Sequence, residues 1–233
     1  MKVKLLLYVL LLAPFHLWSQ SDFEAIKKLF DQGKYVLAKP QLEIYLQENP
    51  NHTQTIEYLG DIAIHNKQWD EAIAYFKKLK NQFPKKANYQ FKYGKSLGMK
   101  ARSGNKLKAL SMVDDIKTAF ETAVKLDPKH VDARWALVIV YTELPGIVGG
   151  SEVKAQKYSD ELMKISPVDG YLTRGYISEY HKRYKDAEKH YLKAIEIGQS
   201  KVTYQKLADL YKNKMNSPEK AKQILDLYQK KKS

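Results

Sequence analysis

The sequence predicts an all-α protein, a right-handed superhelical solenoid of about six antiparallel helix-turn-helix hairpins. Three observations carry that prediction. Prolines recur at Pro50, Pro84, Pro128 and Pro167, with gaps of 34, 44 and 39 residues. Small residues fall in step with them: Ala38, Ala72, Ala155, Ala187 and Ala221, and Gly60, Gly94 and Gly175. Large apolar residues stand three and four apart between these marks, which gives each helix one apolar stripe. A single hairpin cannot bury its stripe, so neighbours stack and the core is built piecewise.

Composition is compatible with a packed chain of this kind. Of 233 residues, 44% are hydrophobic and 28% charged, ordinary values for a globular protein. Tyrosines number 17 against 7 phenylalanines, so much of the aromatic packing carries a polar tip, suited to half-exposed interfaces between stacked elements. The net charge is +14. It comes mostly from lysines spread along the chain rather than from an arginine-rich block, which reads as a solvated surface, with an acidic partner or an anionic envelope surface as the functional alternative and no nucleic acid. The absence of cysteine excludes a disulfide framework, a thiolate metal site, a cysteine nucleophile and a lipoprotein anchor.

The first residues read as an address. Lys2 and Lys4 precede an apolar run from Leu5 to Trp18, and Ser19 offers a small residue for cleavage. That is the layout of a secretory signal peptide over residues 1–19. The run is shorter than the ~20 residues that span a bilayer. A periplasmic or secreted mature chain, 20–233, with no transmembrane segment is the expectation.

The repeats can be taken in order. The first, about 20–52, gives Ala38-x3-Leu42 and Pro50, although Pro40 lies inside its second helix and should kink or delay it. The second, 53–86, gives Leu59-Gly60, Ala63, Ala72-x3-Phe76 and Pro84. The third, 87–130, gives Tyr93-Gly94-x2-Leu97, Phe120 and Pro128; it is too long, and Gly98, Ser103 and Gly104 suggest a turn followed by a lengthened helix from Asn105 to Leu126. The fourth, 131–167, gives Leu137, Tyr141, Ala155 and Pro167, with Ser159 where an aromatic is expected and a turn-rich insertion, Leu144 to Gly150, capped by Ser151. The fifth, 168–200, gives Gly175 and Ala187-x3-Tyr191, with Gln199 in place of the late proline. The sixth, 201–233, gives Leu207-Ala208-x2-Tyr211, Ala221 and Leu225. Leu-Gly and an aromatic on a first helix, then Ala-x3-Phe and a late proline on a second, is the pattern of the tetratricopeptide repeat. The chain resembles that family over about residues 20–230.

The resemblance implies a non-catalytic scaffold that binds a peptide or another protein, since the first helices of successive hairpins line the concave face in this family. Outward positions on those helices are Phe91 and Lys95; Trp135, Ile139 and Thr142; and Leu172, Tyr176, Glu179 and Tyr180. They form a mixed aromatic and polar strip, the make-up of binding hot spots. The Leu144–Gly150 insertion, with Pro145, Gly146, Gly149 and Gly150, supplies the alternative: a pocket for a small molecule or glycan, as part of an uptake system.

No motif points to chemistry. Ser151-x-x-Lys154 matches a nucleophile pair, but the spacing recurs at Ser103/Lys106 and Ser217/Lys220 and its companion elements are missing. The glycine-rich run lacks the lysine and hydroxyl of a phosphate cradle. The six histidines are scattered, and His181 and His190 fall on different sides of an ideal helix. No cofactor and no metal are expected.

Overall fold

The computed structural model describes residues 23–232. The expected signal peptide lies outside the described residues. Those residues form thirteen α-helices and a single 3-10 turn, and they fall into two compact units that divide after Pro84.

The first unit holds α1 (23–31), α2 (Tyr35–Glu48), α3 (Thr53–His65) and α4 (Trp69–Gln82). Its core joins Phe23, Ile26, Ala38, Leu42, Leu59 and Ile62, with Phe30 stacked on Tyr58 at 3.9 Å. Helix α2 runs through Pro40 without a break. Pro40 sits on the solvent face, where the carbonyl it leaves without an N–H partner can turn to water.

The second unit holds α5 (Ala87–Ser103), α6 (Lys106–Leu110), α7 (Val113–Leu126), α8 (Val131–Glu143), α9 (Glu152–Ile165), α10 (Pro167–Tyr180), α11 (Tyr184–Gly198), α12 (Lys201–Asn213) and α13 (Pro218–Lys232). Hairpins pair α5 with α7, α8 with α9, α10 with α11 and α12 with α13, and each hairpin packs on the next.

Two local devices repeat. At three helix crossings a glycine meets an aromatic ring. A Cβ on Gly60 would stand 2.7 Å from the Phe76 ring and one on Gly94 2.9 Å from Phe120; at Gly175 the Tyr191 ring is nearer still. The α8–α9 hairpin reverses the sizes. Val138 is the eighth residue of α8, as Gly60 is of α3, and Ser159 is the eighth of α9, as Phe76 is of α4. Both are fully buried. With no ring to place, Ser159 instead bonds the Gly170 carbonyl at 3.1 Å and the Thr173 hydroxyl at 2.8 Å.

The second device closes three hairpins with one turn. After α1, α3 and α10, the chain passes through a left-handed residue, Gly33, Lys67 or Lys182. The next amide then reaches back five residues: Lys34 to Leu29, Gln68 to Ala63 and Arg183 to Ser178, at 2.8–2.9 Å. This Schellman geometry satisfies carbonyls that the helix end would orphan.

The third hairpin differs from expectation. Gly98 lies inside α5, which runs on to Ser103. The lengthened helix expected from Asn105 is broken into α6 and α7 by a turn at Ser111–Met112, where the Ser111 hydroxyl donates to the Lys108 carbonyl at 2.8 Å. A serine that bonds the carbonyl three residues back competes with the helix ladder at that point.

Candidate functional site

The short helix α6 borders an apolar groove of about 500 Å³. Helix α5 contributes Phe91, Lys95, Met99 and Arg102, spaced along one face. Helix α8 contributes Trp135, Ala136, Ile139 and Glu143 in the same way. Ile116 and Phe120 of α7 and Leu110 of α6 complete the apolar lining. Met99 and Leu110 are 36% and 44% exposed, high for side chains of their size, as expected where a groove stands open.

The rim next to Trp135 is fixed by polar bonds. The Trp135 indole donates to Asp169 Oδ1 at 2.7 Å, and its ring lies edge-on to Tyr176 at 6.4 Å. Glu143 gathers three partners: Arg102 at 2.5 Å, the Tyr176 hydroxyl, and, through its carbonyl, the Tyr180 hydroxyl at 3.3 Å. Burial, and then the Glu143 carboxylate, push the Tyr176 phenol well above its ordinary range, so it remains a donor. At the other end, Phe91 lies 5.9 Å from Phe120 and 4.9 Å from His130, whose ring caps α8 by accepting from the Ala133 amide.

The strip read from the sequence divides here. Phe91, Lys95, Trp135 and Ile139 line the groove, while Tyr176 and Tyr180 stand beside it on Glu143. Thr142 and Leu172 require correction: they are 4% and 5% exposed and face the interior. Helix α10 packs on α8, and Leu172 joins the core of the last hairpins. The Glu179 carboxylate accepts the Tyr191 hydroxyl at 2.9 Å and so ties α10 to α11. Sequence reading missed Met99, Arg102, Leu110 and Glu143. The four-residue step from Phe91 through Lys95 to Met99 was a usable signal once α5 was known to continue past Gly98.

The Leu144–Gly150 insertion is a closed turn. The Gly150 amide bonds the Pro145 carbonyl at 3.0 Å, Gly149 is left-handed, and the Ser151 amide returns to the Tyr141 carbonyl at 2.8 Å. A Cβ on Gly150 would overlap the Leu144 carbonyl oxygen. Ser151 then caps α9 through the Lys154 amide at 3.2 Å. Of this segment only Leu144 lines the groove; Pro145, Gly146, Gly149 and Gly150 do not.

The Ser217 hydroxyl donates to the Met215 carbonyl at 3.0 Å. His190 lies 6.3 Å from the Tyr171 ring, and His181 stands 3.3 Å from Glu152. Among the described residues, no group of three His, Asp or Glu side chains is placed to hold a metal ion. No described helix is long and apolar enough to cross a membrane.

Comparison with known proteins agrees with this architecture. Residues 29–92 match the family model for the tetratricopeptide repeat. A curated relative, the RNA polymerase-associated protein CTR9 of Caenorhabditis elegans, is 28% identical over 127 residues. That match takes in 53% of this chain and only 10% of CTR9, so it bears on a short stretch of that protein and not on the whole relative. Among solved structures, TTC0263, a tetratricopeptide-repeat protein of Thermus thermophilus, superposes with a TM-score of 0.65 at 16% identity, over 82% of this chain and 98% of that one. PilW, a type IV pilus biogenesis factor, gives a TM-score of 0.66 at 15% identity, over 91% and 92%. Those identities establish fold and nothing finer. The repeat model over residues 29–92, the glycine–aromatic crossings and the solved neighbours converge: the chain has the tetratricopeptide-repeat fold.

Proposed function

We propose that this protein is a non-catalytic scaffold of the cell envelope that holds a peptide or a segment of another protein in the groove between α5 and α8. The observation that carries the reading is the apolar cavity bounded by Phe91, Met99, Leu110, Trp135 and Ile139. Aromatic and aliphatic walls with a polar rim suit an anchor side chain, which binds by leaving water and filling a preformed hole. The tetratricopeptide fold supports a protein partner, because its proteins generally act as scaffolds. The leader-like pattern of residues 2–19 supports the envelope.

A photo-crosslinking residue at Ile139 tests the reading in the native cell. A discrete adduct is expected, and it should vanish when Ala136→Trp fills the cavity. Adducts that persist in the filled variant, or that form equally from an exposed position such as Lys206, would remove the groove from the function.

A further inference from the structure

The wall formed by α5 and α6 has an unusual charge. From Lys85 to Val113 the chain carries eight lysines and arginines and no aspartate or glutamate. This segment of 29 residues thus holds +8 of the chain's net +14. It is the same segment that supplies Phe91, Lys95, Met99, Arg102 and Leu110 to the cavity. Lys95 is both lining and exposed, and Lys108 is exposed on α6. Arg102 is more than half exposed at its side chain and spends one of its two terminal nitrogens on Glu143; a guanidinium has five N–H donors, so capacity remains. The facing helix, α8, is close to neutral, with Asp132, Arg134 and Glu143.

From this juxtaposition we infer that the groove selects a peptide segment that sets a bulky apolar side chain among aspartates or glutamates. The inference rests on the groove being the binding site and adds the chemistry of its occupant. The apolar anchor enters the cavity, where the gain comes from surface removed from water. The flanking carboxylates lie along α5 and α6, where they steer encounter and exclude basic segments, since like charges brought together are costly. Recognition uses side-chain carboxylates, so a free chain terminus is not required.

The test is selection of amidated random twelve-residue peptides on the full chain. It is followed by anisotropy measurements of the best binder at two salt concentrations. The expected binders combine one or two Leu, Phe or Trp with an excess of Asp and Glu over the unselected pool. Their affinity should fall at least tenfold when salt is raised from about 50 to 300 mM, because screening acts on exposed charges. Ala136→Trp should weaken binding at least tenfold, and so should Lys95→Glu/Lys108→Glu. Lys201→Glu/Lys206→Glu makes the same charge change on α12 and should leave binding within twofold. Circular dichroism confirms that each variant is folded.

Binders without acidic enrichment, or binders indifferent to the α5–α6 reversal but lost on filling the cavity, would overturn the acidic chemistry and leave the groove standing. No enriched peptide, or peptides indifferent to both changes, would overturn the groove as well. Equal loss in the α12 control would reduce the effect to net charge. Binding of phosphatidylglycerol vesicles, abolished by the α5–α6 reversal, in place of any peptide would assign the wall to a membrane surface and overturn the proposal.

Discussion

At the scale of single residues, the tyrosines explain how half-wet interfaces between helices are held. Four of them donate to a carboxylate on another helix: Tyr141 to Glu121 and Tyr211 to Glu188 at 2.6 Å, Tyr191 to Glu179 at 2.9 Å, and Tyr176 to Glu143. Each ring fills apolar space while its hydroxyl reaches an ionised acceptor at the edge. Burial, followed by the adjacent carboxylate, raises all four phenols above their ordinary range, so these donors stay protonated at neutral pH. Tyr191 is 1% exposed and also lies against Gly175. Tyr191→Phe keeps the ring at that crossing and removes only the donor. It should cost about 1.5–3 kcal/mol, the range for a bond to a charged group, read as a lower urea midpoint with an unchanged slope. An unaltered midpoint would mean that water replaces the hydroxyl at no cost. The excess of tyrosine over phenylalanine was legible in the sequence as a preference for polar-tipped rings. The pairing was not, because Glu179 reads as an outward groove residue until the position of Tyr191 on the neighbouring helix is known.

At the scale of elements, the hairpins are closed by a shared turn and distinguished by what is inserted into them. Gly33 holds the left-handed position after α1, while Lys67 and Lys182 hold it after α3 and α10. A side chain there costs about 1–2 kcal/mol against a carbonyl oxygen, and glycine avoids it. Lys67→Gly and Lys182→Gly should therefore each raise stability by about 0.5–1 kcal/mol, after the entropy that glycine adds to the unfolded chain. Thermal and urea unfolding would show it, and a lower midpoint for either variant would refute the turn assignment. Helix boundaries set by proline and by Ala-x3-aromatic spacing were readable, because each reflects a local rule of backbone or packing. The break at Ser111 was not. It depends on a hydroxyl choosing the carbonyl three residues back over water, and the sequence pattern of α6 and α7 is helical on both sides of it. Since α6 borders the groove, this one misread turn hid Leu110, and the continued helix hid Met99. The burial of Thr142 was hidden for a different reason: helical periodicity places it on the face of Trp135, and only the packing of α10 on α8 shows that this end of the face is closed.

At the scale of the whole molecule, acid should loosen the fold through histidines that cap and pack helices. His52 accepts from the Thr55 amide at the start of α3, bonds the Thr55 hydroxyl at 2.7 Å and lies between Phe23 and Tyr45 at 4.5 and 5.1 Å. Burial lowers its pKa below the ordinary 6.5. His190, beside Tyr171 on α11, is lowered by burial and then by Arg174. A group whose folded pKa lies below its unfolded value binds more protons when unfolded, so stability rises with pH across that window. The contribution of these histidines is thus fully present above about pH 6.5 and is lost as pH falls toward their folded values. Protonation also adds positive charge to a chain already at +14, which acts in the same direction. Unfolding free energy should therefore fall between pH 7.5 and 5.5. His52→Asn keeps a side-chain acceptor at the cap, where asparagine ranks among the best residues, and removes the titrating ring. Its stability should change less over that range than the wild type's, with a further flattening on addition of His190→Gln. A variant whose pH slope matches the wild type would show that His52 is solvated in the folded chain and that the acid response comes from carboxylates such as Glu152. Its hydrogen bond to Arg183 holds Glu152 below the usual range, so that group gives up its stabilisation only at lower pH, and the two sources separate along the pH axis.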